Sequence, residues 1–218
     1  MSASTAIQLA FKLPLKAGTS VELTKVIPEF HRWIREDLLP DLLVDVTNYA
    51  HVNNGPGVLL IAHEAQYSLD ESHGEQGLLF IRKRGEFDSP TESIQQALAS
   101  TLRAAHLLEE TLGLEFDLNR IQFKVNNRRL APNTEATFTE LSPYLSEALS
   151  ELWGEQVELS YQAGSKELFT VVVESQNSPT IATLLGEFAS DPIPVKPIAL
   201  YQEADGDNLL QVGKKAAG

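Results

Sequence analysis

The segment between Asp45 and Glu64 holds side chains whose types and spacing could support metal chemistry. Asp45, His51, His63 and Glu64 supply carboxylate and imidazole groups, which are common protein ligands of zinc and iron. If the apolar runs on either side form a hairpin, one register places Asp45, His51 and His63 on the same face, whereas the opposite register separates them. The pattern therefore indicates a divalent-metal site built from these four residues, with the register left open.

The loop inside this segment has a second, purely structural interpretation. Asn54-Gly55 is typical of a tight hairpin turn, and Gly57 follows two residues later. In a binding site, His51, Asn54, Gly55 and Gly57 would contact a ligand, whereas in the alternative they only close the turn. The zinc-protease helix motif is excluded, because no second histidine follows His63 at the required spacing.

Two basic clusters stand out in an otherwise acidic chain. Arg82 and Arg84 lie at the end of a predicted strand, and Arg128 and Arg129 lie in a predicted loop. The planar guanidinium group binds phosphate and carboxylate through paired hydrogen bonds. These four arginines are therefore candidates for binding a small anionic ligand or an acidic patch on a neighbouring subunit. Surface ion pairing with the surplus carboxylates is the alternative.

Several standard catalytic signatures are absent from the sequence. The chain has no cysteine, which excludes thiolate nucleophiles, cysteine-ligated zinc and iron–sulfur clusters. It also lacks the phosphate-binding loop, the dinucleotide-binding glycine pattern and the nucleophile elbow of hydrolases. The spacing of a calcium-binding loop is missing at 70–75 and again at 205–208. The common routes to kinase, dehydrogenase and hydrolase activity are therefore not indicated.

The net charge and the hydropathy pattern limit the class of partner. The chain of 218 residues carries a formal charge of −13, most of it after residue 85. Nucleic acids and anionic membranes bind basic surfaces, so neither is an expected partner. The longest apolar run, at 58–62, is far shorter than the roughly 20 residues that a membrane helix needs. Because the N-terminus shows no signal-peptide pattern, we expect a cytoplasmic protein.

Hydrophobic periodicity predicts an α+β fold. Alternating or continuous apolar runs predict strands, and apolar residues spaced three and four apart predict helices. In the second predicted helix, Ser89 has the properties of an N-cap, Pro90 suits the first helical position and Gly113 suits the end of the helix. The predicted strands are 7–13, 42–46, 58–63, 77–83, 121–125, 156–162 and 168–174, and the predicted helices are 23–34, 90–112, 137–152 and a short one from Pro179.

The two halves of the chain follow a similar order of elements, β-α-β-β-α, with one additional strand (77–83) in the first half. A shift of about 115 residues places Pro28 on Pro143, and a shift of 114 places Phe11 on Val125. We therefore expect two tandem lobes, 1–115 and 116–190, related by internal duplication and followed by a proline-rich tail, 191–218, with a hairpin. Their sheets would be mixed or antiparallel with helices on one face. A chance match between amphipathic segments, and a single ferredoxin-like sandwich with appended elements, are the alternatives.

These observations favour a non-catalytic binding or accessory protein that associates with itself or with another protein. The lack of a concentrated catalytic signature supports this interpretation, as do extended strands that can pair across subunits. The alternative is a small metal-dependent enzyme with its site in the hairpin from Asp45 to Glu64. There His51 and His63 would act as ligands or general bases, and the two carboxylates would orient them or hold the metal.

Overall fold

The strands in the described part of the chain form one eight-stranded sheet in which all neighbours pair antiparallel. The computed structural model describes residues 8–85, 87–154, 157–161, 167–177 and 179–188, so the tail predicted at 191–218 lies outside the described residues. The order across the sheet is β2-β3-β4-β5-β1-β6-β8-β7. The strands are β1 (Leu9–Pro14), β2 (Leu43–Asn48), β3 (Val58–Ala62), β4 (Ala65–Asp70), β5 (Gly77–Arg82), β6 (Arg120–Val125), β7 (Glu158–Tyr161) and β8 (Phe169–Glu174).

Four helices accompany the sheet in the described residues, and a mixed α+β fold is thereby confirmed. They are α1 (Val26–Glu36), α2 (Pro90–Leu112), α3 (Glu135–Trp153) and α4 (Ile181–Phe188). Helix α1 packs against β2 and β3, α2 packs against β1 and β5, and α3 and α4 both contact α2. Within the described part of the chain, none of these helices combines the length and apolar character needed to cross a bilayer.

The core lies between the helices and one face of the sheet. Phe80, Phe11 and Phe123 are cross-strand neighbours on β5, β1 and β6, and all three are fully buried. One continuous cluster of buried apolar side chains joins this face to all four helices. The alternate strand positions, such as Lys12 and Lys124, point to the opposite side. We call that side the helix-free face, since the described helices pack on the other one.

Helix α2 begins and ends where its capping residues predict. The Ser89 side chain accepts the Glu92 backbone N–H at 3.1 Å, which satisfies one of the free donors of the first turn. Pro90 takes the first helical position, where its missing N–H costs nothing. Gly113 ends the helix with φ of 64°, a left-handed conformation that glycine adopts without a Cβ clash.

The two prolines that align between the halves occupy different helical positions. Pro28 lies in the first turn of α1, which follows a 3₁₀ turn at Leu23–Lys25, so no helical hydrogen bond is lost there. Pro143 lies well inside α3. Trp33, at the end of α1, is fully buried, and its Nε1 donates to the Glu29 carboxylate at 2.6 Å. The two helices therefore share the spacing of their apolar residues but differ in where the proline lies, in the first turn of α1 and in the interior of α3.

The first half contains five strands instead of the four predicted. The additional strand is β4, whose Tyr67 and Leu69 face the core while Gln66 and Ser68 lie on the helix-free face. It follows β3 after a two-residue turn, so the two apolar runs are close together in sequence. The halves meet at the centre of a single sheet, where β1 pairs with β6.

Candidate functional site

The hairpin β2–β3 does not bring the predicted metal ligands together. Asn48 pairs with Val58 at one end of the hairpin, and His51 lies in the connection beyond that pair. His63 lies past the other end, where its N–H donates to Leu42 O at 2.9 Å. Because a six-residue strand spans about 20 Å, the two histidines are too far apart to share one metal ion.

The two acidic residues of that set, Asp45 and Glu64, lie in separate local contacts. Asp45 accepts the backbone N–H of Val46 at 2.8 Å, next to a register shift between Leu43 and Asp45. Glu64 lies in the β3–β4 turn, where its backbone carbonyl accepts the N–H groups of Lys83 and Arg84. In the part of the chain that the structure describes, no group of three or more histidine or carboxylate side chains is placed to hold a metal ion.

The glycine loop before β3 packs closely against the end of β4. Gly57 has φ of 63°, and a Cβ at this position would lie 2.0 Å from Leu69 O. Gly55 is buried, and its carbonyl accepts the Glu71 N–H at 3.0 Å. Asn54 adopts φ of 52°, as expected at a tight turn. Close backbone packing therefore accounts for the glycines without a ligand.

Arg82 belongs to a buried polar cluster between the sheet and α2. The hydroxyl of Tyr67 donates to the Asp41 carboxylate, and Arg82 Nη1 lies 4.0 Å from the same carboxylate. Arg82 Nη2 donates to Ser100 Oγ of α2 at 3.2 Å, and its guanidinium lies over the Phe80 ring. Burial raises the pKa of Tyr67 well above its ordinary value, and the Asp41 charge raises it further. This cluster fixes the loop after α1 to the sheet.

The other predicted arginines are exposed and share one end of the sheet. Strands β5 and β6 both run antiparallel to β1, so Arg84 and the pair Arg128 and Arg129 follow strands that end on the same side. Two strand spacings, about 10 Å, separate the strands that precede them. Next to Arg84 in sequence, Lys83 reaches away from β6, since its Nζ donates to Ala62 O of β3 at 2.6 Å, and burial lowers its pKa. The topology thus places these arginines at the same end of the sheet, and strand direction alone does not bring them together around a ligand.

A buried ion pair on the helix-free face has no counterpart in the sequence analysis. Lys12 is 1% exposed, and its Nζ donates to Asp70 Oδ2 at 2.6 Å. The same ammonium donates to the carbonyls of Ser72 at 3.2 Å and Glu75 at 2.6 Å, which uses all three of its donors. The loop between β4 and β5 is therefore pinned to β1 by one side chain.

The edge strand β2 carries most of the exposed apolar surface of the described residues. The described residues include six exposed large apolar side chains. Four of these lie in β2 or in the segments on either side of it: Leu42, Val44, Tyr49 and Val52. We call these four residues the edge patch. Residues 42–62 contain a single Asp, Glu, Lys or Arg, Asp45, although such residues make up 22% of the chain. The ring of His51 stacks on Tyr49 at a centroid distance of 6.1 Å.

The edge patch is the candidate functional site with the strongest physical basis. A sheet edge offers unpaired backbone groups, and clustered exposed apolar side chains are typical of interaction surfaces. The sequence does not show which strand lies at the edge, and the prediction that extended strands pair across subunits therefore names no strand. Comparison of the chain with protein-family models and with curated proteins finds no match.

Proposed function

We propose that this protein is a non-catalytic binding protein that associates with a second copy of itself through the edge patch. The observation that carries the proposal is that four of the six exposed large apolar side chains of the described residues lie along one edge strand and at its two ends. Removing such side chains from water contributes about 25 cal/mol per Å² of apolar surface, without any requirement for a charged partner.

A second copy is favoured over a charged partner because the patch is nearly neutral. The whole chain carries −13, so two copies repel each other over most orientations. Residues 42–62, with Asp45 as their one carboxylate, form a region where two acidic molecules can approach at low electrostatic cost. An interface of this kind, in which the same surface meets itself, is the common arrangement in homodimers.

The backbone of β2 supports only limited strand pairing. Tyr49 N–H donates to Gly57 O, so by the alternation of an antiparallel strand the N–H groups of Val46 and Asn48 point away from β3. The Val46 N–H is already bonded to the Asp45 side chain. We therefore expect apolar side chains to supply most of the stabilisation, with a dissociation constant on the order of 10 µM, as for other small interfaces.

Sedimentation equilibrium of the full chain tests this proposal. Over roughly 5–500 µM, a range that brackets the expected dissociation constant, the wild-type protein should change from monomer to dimer. Val44→Lys places a charge in the middle of the patch and should give a monomer throughout. Leu130→Lys is the matched control, because Leu130 is also exposed but lies outside the patch. It should dimerise like the wild type.

Two results would contradict the proposal. The first is a wild-type protein that stays monomeric over the whole concentration range. The second is a Val44→Lys protein that dimerises as strongly as Leu130→Lys. Circular dichroism checks that both variants are folded, and Val52→Lys, a second exposed patch position, replaces Val44→Lys if that variant is not.

We also propose that the two halves arose by internal duplication. In each half the first strand pairs with the last, and a helix follows: β1 pairs with β5 before α2, and β6 pairs with β8 before α4. The next strand outward is β4 in one half and β7 in the other. The hairpin β2–β3 would then be an insertion in the first half. Superposition of β6, β8 and β7 on β1, β5 and β4 should require a rotation near 180° if the central antiparallel pair lies on a pseudo-twofold axis. A rotation far from that value would contradict the proposal.

A further inference from the structure

Lys124 is an unusual lysine on the helix-free face. It lies on β6, its cross-strand neighbours are Ala10 on β1 and Thr170 on β8, and it is half-buried. Within the described part of the chain, its ammonium group forms neither a hydrogen bond nor an ion pair. Neither neighbour carries a charged group, and Ala10 is 2% exposed, so Lys124 lies beside a covered part of this face.

A second positive charge is held in a fixed position near this group. Lys12 pairs with Gln122, so Lys12 and Lys124 are diagonal neighbours on adjacent strands, with Cα atoms roughly 7–8 Å apart. The Lys12 ammonium is bonded to Asp70 and to two backbone carbonyls, and it is 1% exposed. It therefore cannot turn away from Lys124 without breaking a buried ion pair.

These surroundings disfavour the charged form of Lys124. Burial lowers its pKa, and the Lys12 charge lowers it further, while the more distant carboxylates of Asp70, Glu75 and Glu167 act in the opposite direction. Partial desolvation and a neighbouring cation are the two conditions that activate lysine amines as nucleophiles.

We propose that Lys124 is a reactive amine site that condenses with small uncharged aldehydes. The neutral amine nitrogen attacks the carbonyl carbon and forms a C–N bond, and the resulting carbinolamine loses one molecule of water to give an imine. No oxidant or reductant is needed for this step. The negative charges of Asp70, Glu75 and Glu167 that act on Lys124 disfavour an anionic carbonyl compound, and the partial burial of Lys124 disfavours a bulky one.

Competitive labelling of the folded, full-length protein tests the proposal. Propanal and cyanoborohydride, at pH 7 and limiting aldehyde, convert each imine to a stable secondary amine that peptide mass spectrometry quantifies at every lysine. Lys16 and Lys25 serve as internal controls, because their side chains are 56% and 68% exposed. Lys124 should be labelled roughly threefold or more faster than either, since each unit of lower pKa gives ten times more neutral amine.

Lys83 is a control that distinguishes how burial affects the labelling rate from how a missing hydrogen-bond partner affects it. Its pKa is also lowered by burial, but its ammonium donates to Ala62 O, so it should react more slowly than Lys124. The pH at which labelling of Lys124 is half-maximal should lie below that of Lys16. The proposal is overturned if Lys124 is labelled no faster than the exposed lysines, or if its pH profile coincides with theirs.

Discussion

The buried pair of Lys12 and Asp70 makes the stability of the fold sensitive to a single carboxylate. Asp70→Asn keeps the shape of the side chain but leaves the Lys12 ammonium in a site where both side chains are at most 4% exposed. Removing one partner of a buried ion pair typically costs about 3–5 kcal/mol, because the remaining charge is desolvated without compensation. Since two backbone carbonyls still accept from Lys12, we expect a loss near the lower end, about 3 kcal/mol.

Urea unfolding followed by circular dichroism measures this loss. With a slope of about 2 kcal/mol per molar urea, the midpoint should fall by roughly 1.5 M. The matched control is Glu115→Gln, which removes the exposed Lys16–Glu115 pair and should leave the midpoint unchanged. The double variant Lys12→Met/Asp70→Leu should recover much of the lost stability, because an apolar pair needs no charge compensation.

The reasoning would be refuted by a small effect of Asp70→Asn. If its midpoint matched that of Glu115→Gln, the ammonium of Lys12 could not be as desolvated as the geometry requires. A double variant less stable than Asp70→Asn would show instead that the packing of these two side chains, and not their charge, stabilises the loop between β4 and β5.

Two further substitutions test the polar cluster and the glycine loop. Tyr67→Phe removes the bond to the Asp41 carboxylate and should destabilise the fold by about 1.5–3 kcal/mol in urea unfolding. Because burial raises the folded pKa of Tyr67 above 10, its contribution is complete below pH 10 and is lost as the pH rises through the folded value, so Tyr67→Phe should show a smaller alkaline decline than the wild type. Gly57→Ala should cost much more than Gly18→Ala, since both have positive φ but only at Gly57 would the Cβ meet Leu69 O; equal losses would contradict this.

Local signals in the sequence predicted the secondary structure better than the site. The caps of α2, Ser89 and Gly113, could be predicted from the sequence because capping depends on neighbouring residues alone. The separate strand β4 was missed because it follows β3 after only two residues and no turn residue marks the boundary. Apolar alternation in Tyr67 and Leu69 was present, but it does not show where one strand stops and the next begins.

The buried ion pair, the positions of the two histidines and the edge patch all depend on contacts that the spacing of residues in the sequence does not predict. Lys12 and Asp70 are 58 residues apart, and neither lies in a motif that predicts the other as its partner. His51 and His63 are close in sequence, yet the hairpin places them at opposite ends. The edge patch could not be predicted either, because Val44 and the buried Leu60 are both apolar residues in strands. Val44 is exposed because it lies on the edge strand, at the register shift between Leu43 and Asp45.

The unequal borders of the sheet have a consequence for how large an assembly can become. The edge strand opposite β2 is β7, a four-residue strand. Its exposed side chains, Glu158 and Ser160, are polar, so it offers little apolar surface to another chain. If two molecules pair through β2, that edge of each described sheet is covered by the other molecule. Association would then end at the dimer, and the sheets would not polymerise edge to edge into fibres.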